Sequence, residues 1–186
     1  MIITPSNLKK IIPAAKQANL DKYADSLNRE LEGWTKQSAA AFIAQIAHES
    51  GSLKYVREIE SGAAYEGRKD LGNIEPGDGV KFKGRGLIQI TGRNNYKACS
   101  ISIFGAEGML LHAPELLEQP KYAVKSAIWF WNTRNLSDIM NKPDDWVRVF
   151  RNKTYNRFEW VTLKINGGQN GIKERKEFFE RALSVL

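Results

Sequence analysis

The run Ala39–Ser50, AAAFIAQIAHES, decides how this chain reads. It is apolar almost throughout, ends in His48 and Glu49, and is stopped by Gly51. On a helix, Phe42, Ile46 and Glu49 share one stripe with Gln45 one turn before Glu49, so the carboxylate lies on the face of the large apolar residues. Such a face is usually buried. Burial disfavours the charged form of a carboxyl group, and an acid still protonated near neutral pH can act as a general acid. Glu49 is therefore the first catalytic candidate, against the background that most glutamates near helix C-termini are solvated and do no chemistry. Ser38, just before the run, reads as its N-cap.

A zinc reading of the same residues fails. A metalloprotease helix needs His-Glu-x-x-His with both imidazoles on one face, and the position four after His48 is Ser52. The remaining inventory is His112 and Cys99, too little for a zinc site without mostly carboxylate ligands. No metal and no cofactor are expected.

With 186 residues the chain suits one well-cored domain, two-lobed at most. Its 42% hydrophobic and 26% charged composition is that of a globular protein. A single cysteine excludes an internal disulfide, in keeping with folding in a reducing compartment. No stretch of about 18 apolar residues is present, so no membrane span is expected. The start, MIITPSNLKK, lacks the basic-then-apolar pattern of a secretory signal. The net charge of +7 is unevenly spread: Lys81 to Lys97 holds five basic residues and no acidic one, and from Arg148 onward nine basic residues face four acidic. Such patches suit nucleic acid, anionic lipid or an acidic cell-wall glycan.

Along the chain, residues 5–31 read as one or two helices breaking near Asn19, with Pro5 at a helix start. From Gly51 to Gly86 the helical period dissolves into a glycine-rich stretch with a Pro-Gly-Asp-Gly turn at residues 76–79, read as loops and short strands. Strand character is expected at residues 86–91, GLIQIT, from the alternation of Leu87 and Gln89 with Ile88 and Ile90. Helices resume after Asn94, with a strong one from about Lys121 to Trp131. A turn region at Pro143 follows, then a helix near Trp160–Lys164, the turn INGGQNG, and a terminal helix from about Lys173.

Cleavage of a glycosidic bond needs a second carboxylate, one group protonating the leaving oxygen and the other activating water or attacking directly. Glu58, Glu60 and Glu66 are the candidates. An unbroken helix would set Glu58 about 13 Å along the axis from Glu49, beyond the roughly 6.5–9.5 Å of an inverting pair, but the break at Gly51 lets the chain fold back. The segment FKGRGLIQITGRNNY, Phe82 to Tyr96, is the most specific motif. Gly84 and Gly86 allow close backbone approach, Gln89, Thr91 and Asn95 offer hydrogen bonds to sugar or water, and Arg85 offers a cationic fork. Alone, it also fits a strand and turn with solvated polar residues.

AHESG, GRGLIQITGRNNY and INGGQNG, in that order, resemble the catalytic domain of glycoside hydrolase family 19, known from plant chitinases and phage endolysins, with spacing like the short endolysin branch. The resemblance covers about Ala39 to Phe179. It implies a mainly α, lysozyme-like, two-lobed fold with a short irregular β/loop region lining the cleft, as one catalytic domain over residues 1–186. It implies Glu49 as general acid, Glu58 as general base and Thr91 in the place of the family's water-holding serine. Gln89, Asn95, Asn166 and Tyr96 then fall on the substrate side, and Arg175, also counted as substrate-side, on an arginine that supports the catalytic carboxylates. Leu87 stands where the family usually has proline, and the plant enzymes' disulfides are absent.

The expected activity is therefore inverting hydrolysis of β-1,4 bonds in bacterial peptidoglycan by an endolysin that lyses its host, with chitin as the alternative polymer. A non-catalytic basic glycan- or nucleic-acid-binding domain is the reading of a different class, and both carboxylates argue against it. No nucleic-acid motif accompanies the charge, so nucleic acid is not an expected partner. The resemblance implies synthesis in the host cytoplasm and action on the wall after release through a separate pore. A monomer is expected. On the terminal helix, Ile172, Phe178, Phe179, Leu183 and Leu186 would face the core while Lys173, Arg175, Lys176 and Arg181 face outward, a weak contact for anionic membrane or simply a solvated face.

Overall fold

A computed structural model describes residues 1–186. In chain order its elements are α1 (Pro5–Ile11), α2 (Gln17–Glu30), α3 (Lys36–Glu49), α4 (Asp78–Lys81), α5 (Arg93–Phe104), α6 (Gly108–His112), α7 (Pro120–Asn132), α8 (Leu136–Met140), β1 (Val147–Phe150), β2 (Lys153–Asn156), α9 (Arg157–Asn166) and α10 (Ile172–Val185), with short 3-10 turns between. The protein is thus mainly α, as the periodicity indicates. The chain forms two compact units, residues 1–48 with 131–186, and residues 49–130.

In the first unit α1 packs on α2 and α10, and α8 on α9. α3 is its spine: every residue from Ser38 to Ala47 is buried. Its alanines at 39, 40, 41, 44 and 47 are fully buried, while Phe42 meets Trp34 and Trp131 edge-on at 5.6 and 5.5 Å between ring centroids. Thr35 caps this helix, its hydroxyl accepting from the Ser38 amide. Ser38, expected in that role, instead lies inside and turns its hydroxyl to Asn141. The break between α1 and α2 falls at residues 12–16 rather than at Asn19, because Pro13 removes an amide donor that α1 would need to continue.

The second unit gathers around Phe82, Leu87, Ile90, Tyr96, Leu117 and Val124, all buried. Its glycine-rich half has no ladder strand. Residues 86–91, expected as a strand, form a turn closed by the bridge Arg85↔Ile90, with Arg57↔Arg85 alongside. The reason is conformational: Gly86 at φ 81° and Gln89 at φ 55° are left-handed, which no strand accommodates. The only sheet lies in the first unit, where β1 and β2 pair antiparallel through a two-residue turn, Arg151-Asn152, both left-handed. Paired positive φ values match the strand twist of a type I′ hairpin.

Candidate active site

Glu49 is the last residue of α3, half-buried, and stands where the chain enters the second unit. Soon after it Gly51, Ser52 and Leu53 take φ values of 57°, 62° and 62°, a left-handed turn. Two non-glycine residues in this region are costly, and such strain survives only where the surroundings enforce it. Here Ser50 does so, its hydroxyl accepting from the Leu53 amide and its carbonyl from the Lys54 and Tyr55 amides. The chain then runs on to Glu58, in the same unit as Glu49.

Glu58 is half-buried and held on both oxygens: Oε1 accepts from the Tyr65 hydroxyl and Oε2 from the Gly84 amide, each at 2.8 Å. Its own amide donates to the Gly84 carbonyl at 2.9 Å, so carboxylate and backbone are fastened to the same residue. A β-carbon on Gly84 would lie 2.6 Å from Gln89 Oε1 and 3.1 Å from Glu58 Oε2, which locates the Gln89 amide beside the carboxylate and explains the glycine. Gln89 donates to the Gly86 carbonyl, the Thr91 hydroxyl donates to the Gln89 carbonyl at 2.9 Å, and the Asn95 amide donates to the Thr91 carbonyl at 2.8 Å. Glu58, Gln89, Thr91 and Asn95 thus form one run, each of them half-buried. Having donated its hydrogen, the Thr91 hydroxyl keeps its lone pairs for an incoming donor such as water.

The competing carboxylates are otherwise engaged or placed. Both Glu66 oxygens accept backbone amides, from Gly77 and Gly79, so this side chain holds the Pro-Gly-Asp-Gly turn. Glu60 is exposed, its carbonyl accepting from Lys83 Nζ. Tyr65 was not legible in sequence. It lies seven residues after Glu58 in a loop with no period, and its phenol is pushed above the usual tyrosine range by partial burial and then by the bond to Glu58.

Three expectations are corrected. Tyr96 is fully buried, donates to the Lys83 carbonyl at 2.6 Å, and stacks near Phe82, so it supports the motif from beneath and cannot touch a polymer. Arg85 is buried likewise, bonded to Glu118, the Lys81 carbonyl and Tyr96, and offers no free fork. Arg175 is also fully buried rather than outward on α10, donating to Gln45 Oε1 at 2.5 Å and the Asn170 carbonyl at 3.1 Å. Gln45 passes the constraint to Thr162 at 2.8 Å. Arg175 therefore acts on the turn of α3 that precedes Glu49, not on substrate. Asn166, in the first unit, is exposed at the end of α9, where Gly167 terminates the helix in the left-handed conformation. His48 bonds Glu174 at 2.5 Å and presses on Gly171, where a β-carbon would fall 2.0 Å from the ring.

The chitinase class I family, glycoside hydrolase family 19, matches residues 30–144. A glycosyl hydrolase family 19 domain-containing protein of Haemophilus influenzae is 30% identical, over all of this chain and 97% of that protein. An endochitinase of Arabidopsis thaliana is 33% identical over 72% of this chain, which spans only 41% of that plant protein. Among solved structures, a bacterial family 19 chitinase superposes with a TM-score of 0.69 at 23% identity, covering all of this chain and 95% of that one. Chitinase C from Streptomyces griseus gives 0.65 at 22%, over 98% and 77%. The fold is the lysozyme-like one these structures share.

Proposed function

We propose that this chain, which belongs to glycoside hydrolase family 19, is an endolysin-type glycosidase that hydrolyses the β-1,4 bonds of bacterial peptidoglycan with inversion. Glu49 donates a proton to the glycosidic oxygen. Glu58 takes the proton of a water that Thr91 and Gln89 help to orient, and that water attacks the opposite face of the sugar. Asn95 and Asn166 bind sugar hydroxyls and acetamido groups. The protein is made in the host cytoplasm and reaches the wall through a separate pore.

The observation that carries the catalytic reading is the double fastening of Glu58 to Tyr65 and Gly84, with the Gln89 amide alongside. A base must be held in one orientation to accept a water proton, and fixed geometry supplies a large part of such a rate. Peptidoglycan is favoured over a neutral polymer by the +7 charge, since its strands carry peptide carboxylates. Chitin is the second reading, favoured by the endochitinases among the relatives; both polymers contain β-1,4-linked N-acetylglucosamine.

The test is parallel digestion of purified Gram-negative peptidoglycan and colloidal chitin, with mass spectrometry of the released reducing ends. New reducing-end sugars from peptidoglycan, lost in Glu49→Gln and in Glu58→Gln, are expected. Release from chitin alone would transfer the assignment to the second reading, and near-wild-type turnover by Glu49→Gln would remove the acid from the mechanism.

A further inference from the structure

The sole sheet belongs to the first unit, and one of its faces covers a cavity. By register Arg148 lies opposite Tyr155, and Phe150 opposite Lys153, on that face. Phe150 and Tyr155 meet Trp160 of α9 with ring centroids 5.7 and 5.9 Å apart. These rings and the Gly167–Gly168 turn line an open cavity of about 610 Å³, a volume suited to a small ligand or a sugar unit or two.

Arg151, Lys153 and Lys164 are among the residues that line it, and Arg148 reaches over the ring of its Trp160. The Arg148 guanidinium and the Lys164 ammonium lie over the Trp160 ring at 5.7 and 5.1 Å, and Arg151 over Phe150 at 5.0 Å, with Lys153 alongside. All four are exposed, and none makes an ion pair. Arg151 sits at φ 48° in the two-residue hairpin turn, from which its guanidinium lies over the Phe150 ring. Like charges gathered without a counter-charge are unfavourable until an anion arrives, and cation–π contact limits the freedom their heads would lose on binding it. The cavity also adjoins Asn166, one residue before Gly167 in the same turn.

We infer that this cationic, aromatic cavity is an accessory subsite for carboxylate-bearing glycan: it takes a sugar of the peptidoglycan strand against the aromatic floor and the lactyl or stem-peptide carboxylates on Arg148, Arg151 and Lys164. The inference rests on the peptidoglycan reading above and gives it a specificity element outside the catalytic run. It favours an acidic glycan over chitin, whose strands carry no carboxylates for the cations.

The test uses the full chain and the triple variant Arg148→Ala, Arg151→Ala, Lys164→Ala, whose fold is checked by circular dichroism. Calorimetry measures a soluble disaccharide-tetrapeptide muropeptide, the same compound with its carboxylates amidated, and chitotetraose; a sedimentation arm uses phosphatidylglycerol vesicles. At least about a tenfold loss of muropeptide affinity in the variant is expected, as for removing charge-assisted bonds, and a wild-type affinity that falls with salt. Amidated muropeptide and chitotetraose should bind both proteins alike. Equal muropeptide binding by the two proteins, or an equal loss for chitotetraose, overturns the subsite. Cation-dependent vesicle binding without cation-dependent muropeptide binding also overturns it, in favour of a lipid-facing surface. If the wall is not cut but muropeptide binding keeps its charge dependence, the catalytic reading falls and the subsite stands.

Discussion

Replacing Gly84 by alanine adds one methyl group between the two side chains that the proposed mechanism relies on. The backbone of Gly84 is not left-handed, so alanine brings no conformational strain and the effect is steric alone. The new carbon would stand 2.6 Å from Gln89 Oε1 and 3.1 Å from Glu58 Oε2, against the 3.4 Å at which ordinary contact begins. Gln89 must then retreat by about 0.8 Å, but its Nε2 is tied to the Gly86 carbonyl at 2.9 Å and its backbone is held at φ 55°. Losing that bond and overpacking the site should destabilise the protein by about 1–3 kcal/mol. Activity should suffer more, because misplacing a catalytic group by about 1 Å costs on the order of 100-fold. Gly33→Ala is the control: nothing lies within 4 Å of its β-carbon, while φ 77° makes it strained. It should lose about 1 kcal/mol of stability and no turnover. Urea melts and initial rates on a soluble oligosaccharide separate the two effects. Unchanged turnover in Gly84→Ala, at a stability loss like that of Gly33→Ala, would refute the claim that Gly84 keeps room for Glu58 and Gln89.

Tyr65→Phe removes one of the two donors that orient Glu58, and should lower turnover about tenfold with less than about 1 kcal/mol of stability lost, read by kinetics alongside a thermal melt. Asp78, whose side chain is 2% exposed, accepts two bonds from Arg93, and that guanidinium holds its carboxyl below the ordinary range. Its stabilising contribution is therefore complete above the unfolded value of about 3.9 and is lost as pH falls through the lowered folded value. Asp78→Asn should cost about 3 kcal/mol at pH 7 and flatten the acid limb, in urea midpoints measured from pH 7 to 2.5; an unchanged acid limb would refute the assignment. Trp131→Ala opens the centre of the Trp34–Phe42–Trp131 cluster and frees the Ser137 hydroxyl, and should cost about 4 kcal/mol in the same melts.

The sequence by itself determined the helices and the outline of the chemistry. Apolar periodicity located α3, α5, α7 and α10, since burial of one stripe is what makes such segments helical. The glycine-rich middle announced irregular structure, and AHES with GRGLIQIT pointed to the family and to Glu49, Glu58, Gln89 and Thr91. Tertiary structure decided the rest. Hydrophobic alternation at residues 86–91 promised a strand, but the left-handed Gly86 and Gln89 made a turn that brings Gln89 beside Glu58. The sheet arose instead at residues 147–156, where its two-residue turn is Arg-Asn rather than an Asn-Gly or Asp-Gly signal. Charge proved the least legible property. Arg85, Tyr96 and Arg175 share residue types with binding groups yet are enclosed, because a buried cation or phenol is stable wherever the fold supplies partners. Arg148, Arg151 and Lys164, legible in sequence only as part of a basic stretch, meet over aromatic rings only once β1, β2 and α9 are folded together. Local pattern follows from short-range backbone preference and the period of burial, both written in the order of residues. Which polar groups face a ligand depends on partners distant in the chain, and that only packing determines.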